Sequence, residues 1–222
     1  MLYGTFSITA RSLRTGELGV AVASKYLAVG AAVPFVAAGV GAVATQARVN
    51  SAYGPQALSM LKQGLSPQDI LQQFAGNDPE WEFRQLHLID AKGRVACHTG
   101  AKTVDWAGHL VGVDATVAGN ILTGPEVLEA MLQAFHADPP AGRSPSAGAG
   151  PAQPLARRLL AALLAGDEAG GDRRGKQSAA LLVARTELYP VVNLRVDDHP
   201  DAPRELARLL DLFAKAFPQH LS

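Results

Sequence analysis

Cysteine is almost absent: Cys97 is the only one in 222 residues. No disulfide can close within the chain, and a reducing, cytoplasmic setting is the expectation that follows. Charge of one sign is lacking too, with 20 Lys and Arg against 20 Asp and Glu. No net field draws the chain to nucleic acid or to an anionic membrane. The densest basic run is only Arg173, Arg174 and Lys176. The opening residues, Met1-Leu2-Tyr3-Gly4-Thr5, lack the basic stretch and apolar core of a signal peptide. The long apolar run, residues 18–44, is broken by Lys25 and Pro34, and its Gly and Val content suits buried strands better than a membrane helix. The six histidines are scattered without metal-ligand spacing. Neither metal nor cofactor is expected; the partners left are a small-molecule substrate or ligand and further copies of the chain.

What is present is a chain 48% apolar, of a length that suits one domain spanning residues 1–222. The period-two alternation of Phe6, Ile8 and Ala10 against Thr5, Ser7 and Thr9 predicts a first strand. Turn chemistry at Arg14-Thr15-Gly16-Glu17 and a second strand over 18–24 complete a hairpin. Two further strands are expected near 31–36 and 41–46, and their Ala and Gly content calls for another layer close by. Helical spacing follows from 51 to a stop at Gly64. A second helix opens with Ser66 as cap and Pro67 in its first turn. Strands over 82–90 and 94–99, a pair over 105–111 and 115–122, and a helix over 125–136 come next. Residues 138–154, rich in Pro, Gly, Ala and Ser, read as a flexible loop. A helix over 155–165, strands over 178–185 and 191–196, and a helix over 203–217 end the chain. Sheet hairpins alternating with helix pairs predict an α/β (α+β) fold, a four-layer αββα sandwich.

Thr5 is the first candidate for chemistry. A hydroxyl at the head of a first strand can act as a nucleophile when the residue's own free α-amine serves as base. That requires cleavage between Gly4 and Thr5, because an amide nitrogen cannot accept the proton. The plainer reading is an ordinary strand residue. Lys25, at the end of the second strand, would lower a nearby hydroxyl pKa or stabilise an oxyanion; equally, it is a strand-end lysine reaching water. In the polar run 44–54, Gln46 and Asn50 offer neutral donors and Tyr53 a ring with a polar tip, against plain turn and capping chemistry. In the loop 171–178, Arg173 and Arg174 suit a carboxylate, with Asp172 orienting one of them; a structural Asp–Arg pair is the alternative. Asn120, after Gly119, is an amide at a strand end, catalytic or turn-forming.

Other signals lose to geometry. Gly39-Val40-Gly41-Ala42-Val43-Ala44 matches a dinucleotide fingerprint by letter, but strand rather than helix follows and no acidic residue lies about twenty positions on. Cys97 and His98 are strand neighbours, so their side chains point to opposite faces. Asp197-Asp198-His199 reads as a strand end opening the last helix.

Several segments together resemble one bacterial family of unknown function: Thr5-Phe6-Ser7-Ile8, residues 19–25, residues 41–47, Gly119-Asn120 with residues 124–128, and residues 170–178. That family is assigned to the N-terminal nucleophile (Ntn) hydrolase fold, and the resemblance spans nearly all of the chain outside the 138–154 loop. It implies the αββα sandwich. Proteasome-type members of the same superfamily also place Thr at the first strand after a glycine. They carry an aspartate where this chain has Ser24, and a later lysine where it has residues 31–34. Supporting groups for Thr5 therefore differ here, with Lys25, Asn50 and Asn120 as the substitutes. The leading expectation is an amide or peptide-like bond hydrolase for a small substrate. In it Thr5 is the nucleophile, Lys25, Asn50 and Asn120 assist catalysis, and Gln46, Tyr53, Asp172, Arg173 and Arg174 bind substrate. The alternatives are a non-catalytic module for an anionic small molecule and an oligomeric structural protein.

Overall fold

Ten strands make two antiparallel sheets in the computed structural model, which describes residues 4–137 and 153–221. The larger sheet begins with the predicted hairpin, β1 (Thr5–Arg11) and β2 (Leu18–Ser24). The smaller one takes β3 (Pro34–Ala37), β4 (Gly41–Ala47), β5 (Arg84–Asp90) and β6 (Val95–Thr99), in that order. With β7 (Gly108–Gly112), β8 (Ala115–Asn120), β9 (Ser178–Ala184) and β10 (Val192–Val196), the larger sheet runs β10-β9-β2-β1-β8-β7.

Helices cover both outer faces. α1 (Tyr53–Lys62) and α2 (Pro67–Asn77) lie on the small sheet, burying Tyr53, Ala57, Ile70 and Phe74 against Val43, Leu86 and Leu88. Gly64, at φ 96, takes the left-handed turn that stops α1. Ser66 caps α2 in a capping box with Asp69. On the other face, α3 (Glu126–His136), α4 (Leu155–Glu168) and α5 (Ala202–Ala216) pack against Phe6, Ile8, Val117 and Leu181. The layers are therefore α/β/β/α, as expected.

The space between the sheets is divided. One half, under β2 and β9, is apolar, with Leu18, Val20, Val22, Ala42, Ala44 and Ile89. The other half, under β1 and β8, is polar: Thr5, Ser7 and Thr9 turn inward to meet Gln46, Gln85 and His87. Both faces of β1 are thus buried, one greasy and one hydroxylic.

Some boundaries differ from the sequence expectation. Residues 31–33 are not strand: Ala28 sits at φ 55 and a 3₁₀ turn spans Val29–Ala31. β3 starts only at Pro34, which lacks a backbone donor and is tolerated because it begins an edge strand. Residues 105–107 also stay outside β7, since Trp106 gives its carbonyl to Leu122 beyond the end of β8. The predicted loop at 138–154 lies outside the described residues apart from Gln153 and Pro154.

Candidate functional site

Thr5 heads β1 with Ser24 of β2 and Asn120 of β8 as its direct cross-strand partners. Residues opposite one another in adjacent strands share a face, so the three side chains stand in a row at one end of the inter-sheet layer. The Thr5 hydroxyl, fully buried, donates to Ser24 Oγ at 3.3 Å. Ser24 in turn donates to the carbonyl of Gly4, the residue just before Thr5. The same carbonyl accepts from Arg174 Nη2 at 3.2 Å. A carbonyl next to a hydroxyl is therefore held by one neutral and one cationic donor.

Asp172 fixes that arrangement. Its fully buried carboxylate accepts from the Arg174 backbone N–H (3.0 Å), Arg174 Nε (3.0 Å), Arg174 Nη2 (2.7 Å) and the Lys25 backbone N–H (3.1 Å). Two oxygens with four donors leave Arg174 little freedom, and the planar guanidinium fork suits the role. The loop carrying both residues is tied to the end of β8: Arg173 N–H donates to Ile121 O at 2.9 Å, and Leu122 pairs with Asp172 as an isolated bridge. Ile121 pays for the connection with φ 54, a left-handed conformation that a β-branched residue adopts at a cost of about 1–3 kcal/mol.

The interior half-layer behaves differently. Ser7 donates its only proton to Gln46 Oε1 at 2.5 Å. His87 Nε2, 2.8 Å from the same Ser7 oxygen, must then be the donor, and Nδ1 accepts from Thr116 at 2.6 Å. His87 is thus a neutral imidazole with its acceptor nitrogen already taken, so Ser7 and His87 do not form a nucleophile–base pair. Burial, reinforced by His109, pushes its pKa down to about 3. Gln85 is the hub beyond it, accepting from Gln46 and Asn120 (2.8 and 2.9 Å) and donating to Thr99, Gly108 and Gly119.

Of the residues singled out in the sequence, Thr5, Asn120, Asp172 and Arg174 come together at this end of the sandwich, and Gln46 reaches Asn120 through Gln85. Lys25 contributes its backbone there, while its ammonium reaches Lys176 O at 3.4 Å at the surface. The Arg173 side chain is exposed and makes no hydrogen bond or ion pair among the described residues. Asn50 shapes the turn before α1, its side-chain oxygen accepting from Ala52 N–H at 3.2 Å. Tyr53 lies across the small sheet, stacked on Phe74 and bonded to Asp78, and burial with that bond pushes its hydroxyl up to about 12. The sequence reading noted Gly4 as the residue before the cleavage point and Ser24 as a departure from the proteasome type, and gave neither a role in the site. The hairpin register that sets Ser24 opposite Thr5 would have given Ser24 one.

Among the described residues no three His, Cys, Asp or Glu side chains gather where they could hold a metal ion, and no helix is long and apolar enough to cross a membrane. The chain matches the family of unknown function DUF1028 over residues 5–206. It is similar to a protein from Silicibacter pomeroyi of the same family, known from a crystal structure. The two are 33% identical with a TM-score of 0.81, over 95% of this chain and 86% of that one. Comparison with curated proteins gives no match. This chain belongs to DUF1028.

Proposed function

We propose that this DUF1028 member is an amide-bond hydrolase of the Ntn type, acting on a small substrate through Thr5. The αββα layering and the threonine at the head of β1 support an Ntn-hydrolase-like assignment of the fold. One observation carries the reading: the Gly4 carbonyl accepts from Ser24 and from Arg174 while the Thr5 hydroxyl donates to Ser24.

That chain of oxygens describes a route for cutting the Gly4–Thr5 bond. As Thr5 Oγ attacks the Gly4 carbonyl carbon, its proton passes to Ser24, whose own proton passes to the Gly4 oxygen. Arg174 stabilises the negative charge that develops on that oxygen before the Ser24 proton reaches it. Collapse breaks the Gly4–Thr5 C–N bond, the proton returns to the Thr5 nitrogen, and an ester joins Gly4 to Thr5 Oγ. Water hydrolyses the ester. Thr5 then carries a free amine that serves as base for its own hydroxyl, and an external amide follows the same course.

Intact-mass analysis of the purified full chain tests this. Loss of residues 1–4 is expected in the unaltered protein and in Thr5→Ser, and none in Thr5→Ala. Retention of residues 1–4 by all three, over days at neutral pH, would end the hydrolase reading. A second reading, a binding module for an anionic small molecule, rests on the exposed Arg173. It predicts a thermal shift with dicarboxylates that Arg173→Ala abolishes; no shift in either protein removes it.

A further inference from the structure

Gly4 stands where almost nothing larger fits. A Cβ added to it would lie 2.6 Å from Asp172 Oδ2, 2.7 Å from Arg174 Nη2 and 2.9 Å from Asp172 Cγ. Space alone therefore demands glycine here. The Asp172 side of the wall is buried, and Arg174 reaches it from the surface. Asp172 is buried and held by four donors, and Arg174 Nη2 is bound both to Asp172 and to the Gly4 oxygen.

We infer that the acyl subsite of Thr5 is glycine-sized, so that its substrates are glycyl amides or other amides with an unsubstituted CH₂ next to the scissile carbonyl. The inference rests on the reading of Thr5 as nucleophile. Its geometric step is that the ester formed from Gly4 and the ester formed from any substrate share every atom up to the carbonyl carbon. Ser24 and Arg174 hold the carbonyl oxygen in both, so the α-carbon occupies the same volume. An L-side chain there points at the Asp172–Arg174 pair. Forcing an extra methyl against the buried Asp172 carboxylate slows reaction on the order of 10- to 100-fold.

Two measurements on the full chain test it. The first compares release of residues 1–4, by intact mass over time, in the unaltered protein and in Gly4→Ala, with circular dichroism confirming that the variant folds. The second needs no variant. The self-processed protein is exposed to the p-nitrophenyl esters of N-acetylglycine and N-acetyl-L-alanine, and acylation of Thr5 is read by peptide mass. Thr5 Oγ gains the acyl group, p-nitrophenolate leaves with the bonding electrons, and the hydroxyl proton goes to the Thr5 amine. Faster release with Gly4, together with preferential glycyl acylation, is expected. Equal labelling by the two esters, or no labelling by the glycyl one, overturns the subsite, as does release from folded Gly4→Ala at the unaltered rate. An unaltered protein that never releases residues 1–4 overturns the nucleophile reading instead, and the subsite falls with it.

Discussion

Replacing His87 by Gln isolates the electrostatic cost of the polar interior. The imidazole is fully buried between the sheets and neutral, with its pKa lowered from 6.5 to about 3 by burial first and by His109 second. In the unfolded chain the same group takes up a proton near pH 6.5. Between pH 6.5 and pH 3 the unfolded state therefore binds more protons, and folding stability falls as pH falls. Stability from this group is complete above pH 6.5 and declines by about 1.4 kcal/mol per pH unit across that window. Between pH 7.5 and pH 4.5 the loss is on the order of 3 kcal/mol. Urea unfolding of the unaltered protein and of His87→Gln at one-unit steps over that range measures it. The glutamine amide keeps a donor and an acceptor near Ser7 and Thr116, and His98 and His109, whose pKa values burial also lowers, titrate in both proteins. The unaltered protein should lose on the order of 3 kcal/mol more than the variant. Parallel stability curves would refute the reasoning, since a His87 that charges within the fold contributes no such slope.

Two further substitutions probe separate parts of the architecture. Arg174→Lys keeps the charge but loses the planar fork, so release of residues 1–4, followed by intact mass, should slow by at least about 10-fold, and an unchanged rate would remove Arg174 from the oxyanion role. Ser66→Ala removes the cap and half of the capping box of α2, and a fall of about 1 kcal/mol in urea-derived stability is expected.

The sequence carried the local order well, because local chemistry decides it. The hydroxyl and apolar alternation of residues 5–10, the turn at 14–17, Ser66 with Pro67, and Gly64 each specify their own neighbourhood, and the observed β1, β2, α1 and α2 follow them. The misplaced start of β3 is also local, but it turns on the left-handed Ala28 and the 3₁₀ turn Val29–Ala31 ahead of Pro34, which no alternation pattern encodes. The destination of the hydroxyl face was not legible from β1 alone. It is settled by His87, 80 positions along the chain, and by Gln85, which sit with Ile89 on one face of β5. Alternation in β5, Arg84-Gln85-Leu86-His87-Leu88-Ile89-Asp90, places two polar groups on a face that a half-exposed strand would give to solvent; in a strand covered on both sides it marks a polar seam. The site needed one step more. Gly4, just before Thr5, meets Asp172 because the loop after β8 and the loop before β9 are zipped together at Ile121 and Leu122.

Three hydroxyls line the inward face of β1, and the reason for assigning chemistry to one of them lies in their partners. Ser7 and Thr9 end in closed circuits with Gln46, His87 and Thr116, where each proton has an acceptor and no reacting bond lies in reach. Such circuits hold two sheets in register; they move nothing. Thr5 differs because its circuit ends on a peptide carbonyl, and because a guanidinium converges on that same oxygen. A cation fixed by a buried carboxylate and aimed at a neutral carbonyl gains little in the ground state, for a neutral oxygen is a weak partner to an ion. Its interaction grows when the oxygen becomes negative, which is the property that lowers a barrier rather than a binding constant. The left-handed Ile121 that helps hold the loop in place is a local backbone cost at a buried position. Strain retained at the point where the aimed cation depends on it fits the proposed acyl transfer, in which the loop must be held before the oxygen becomes negative.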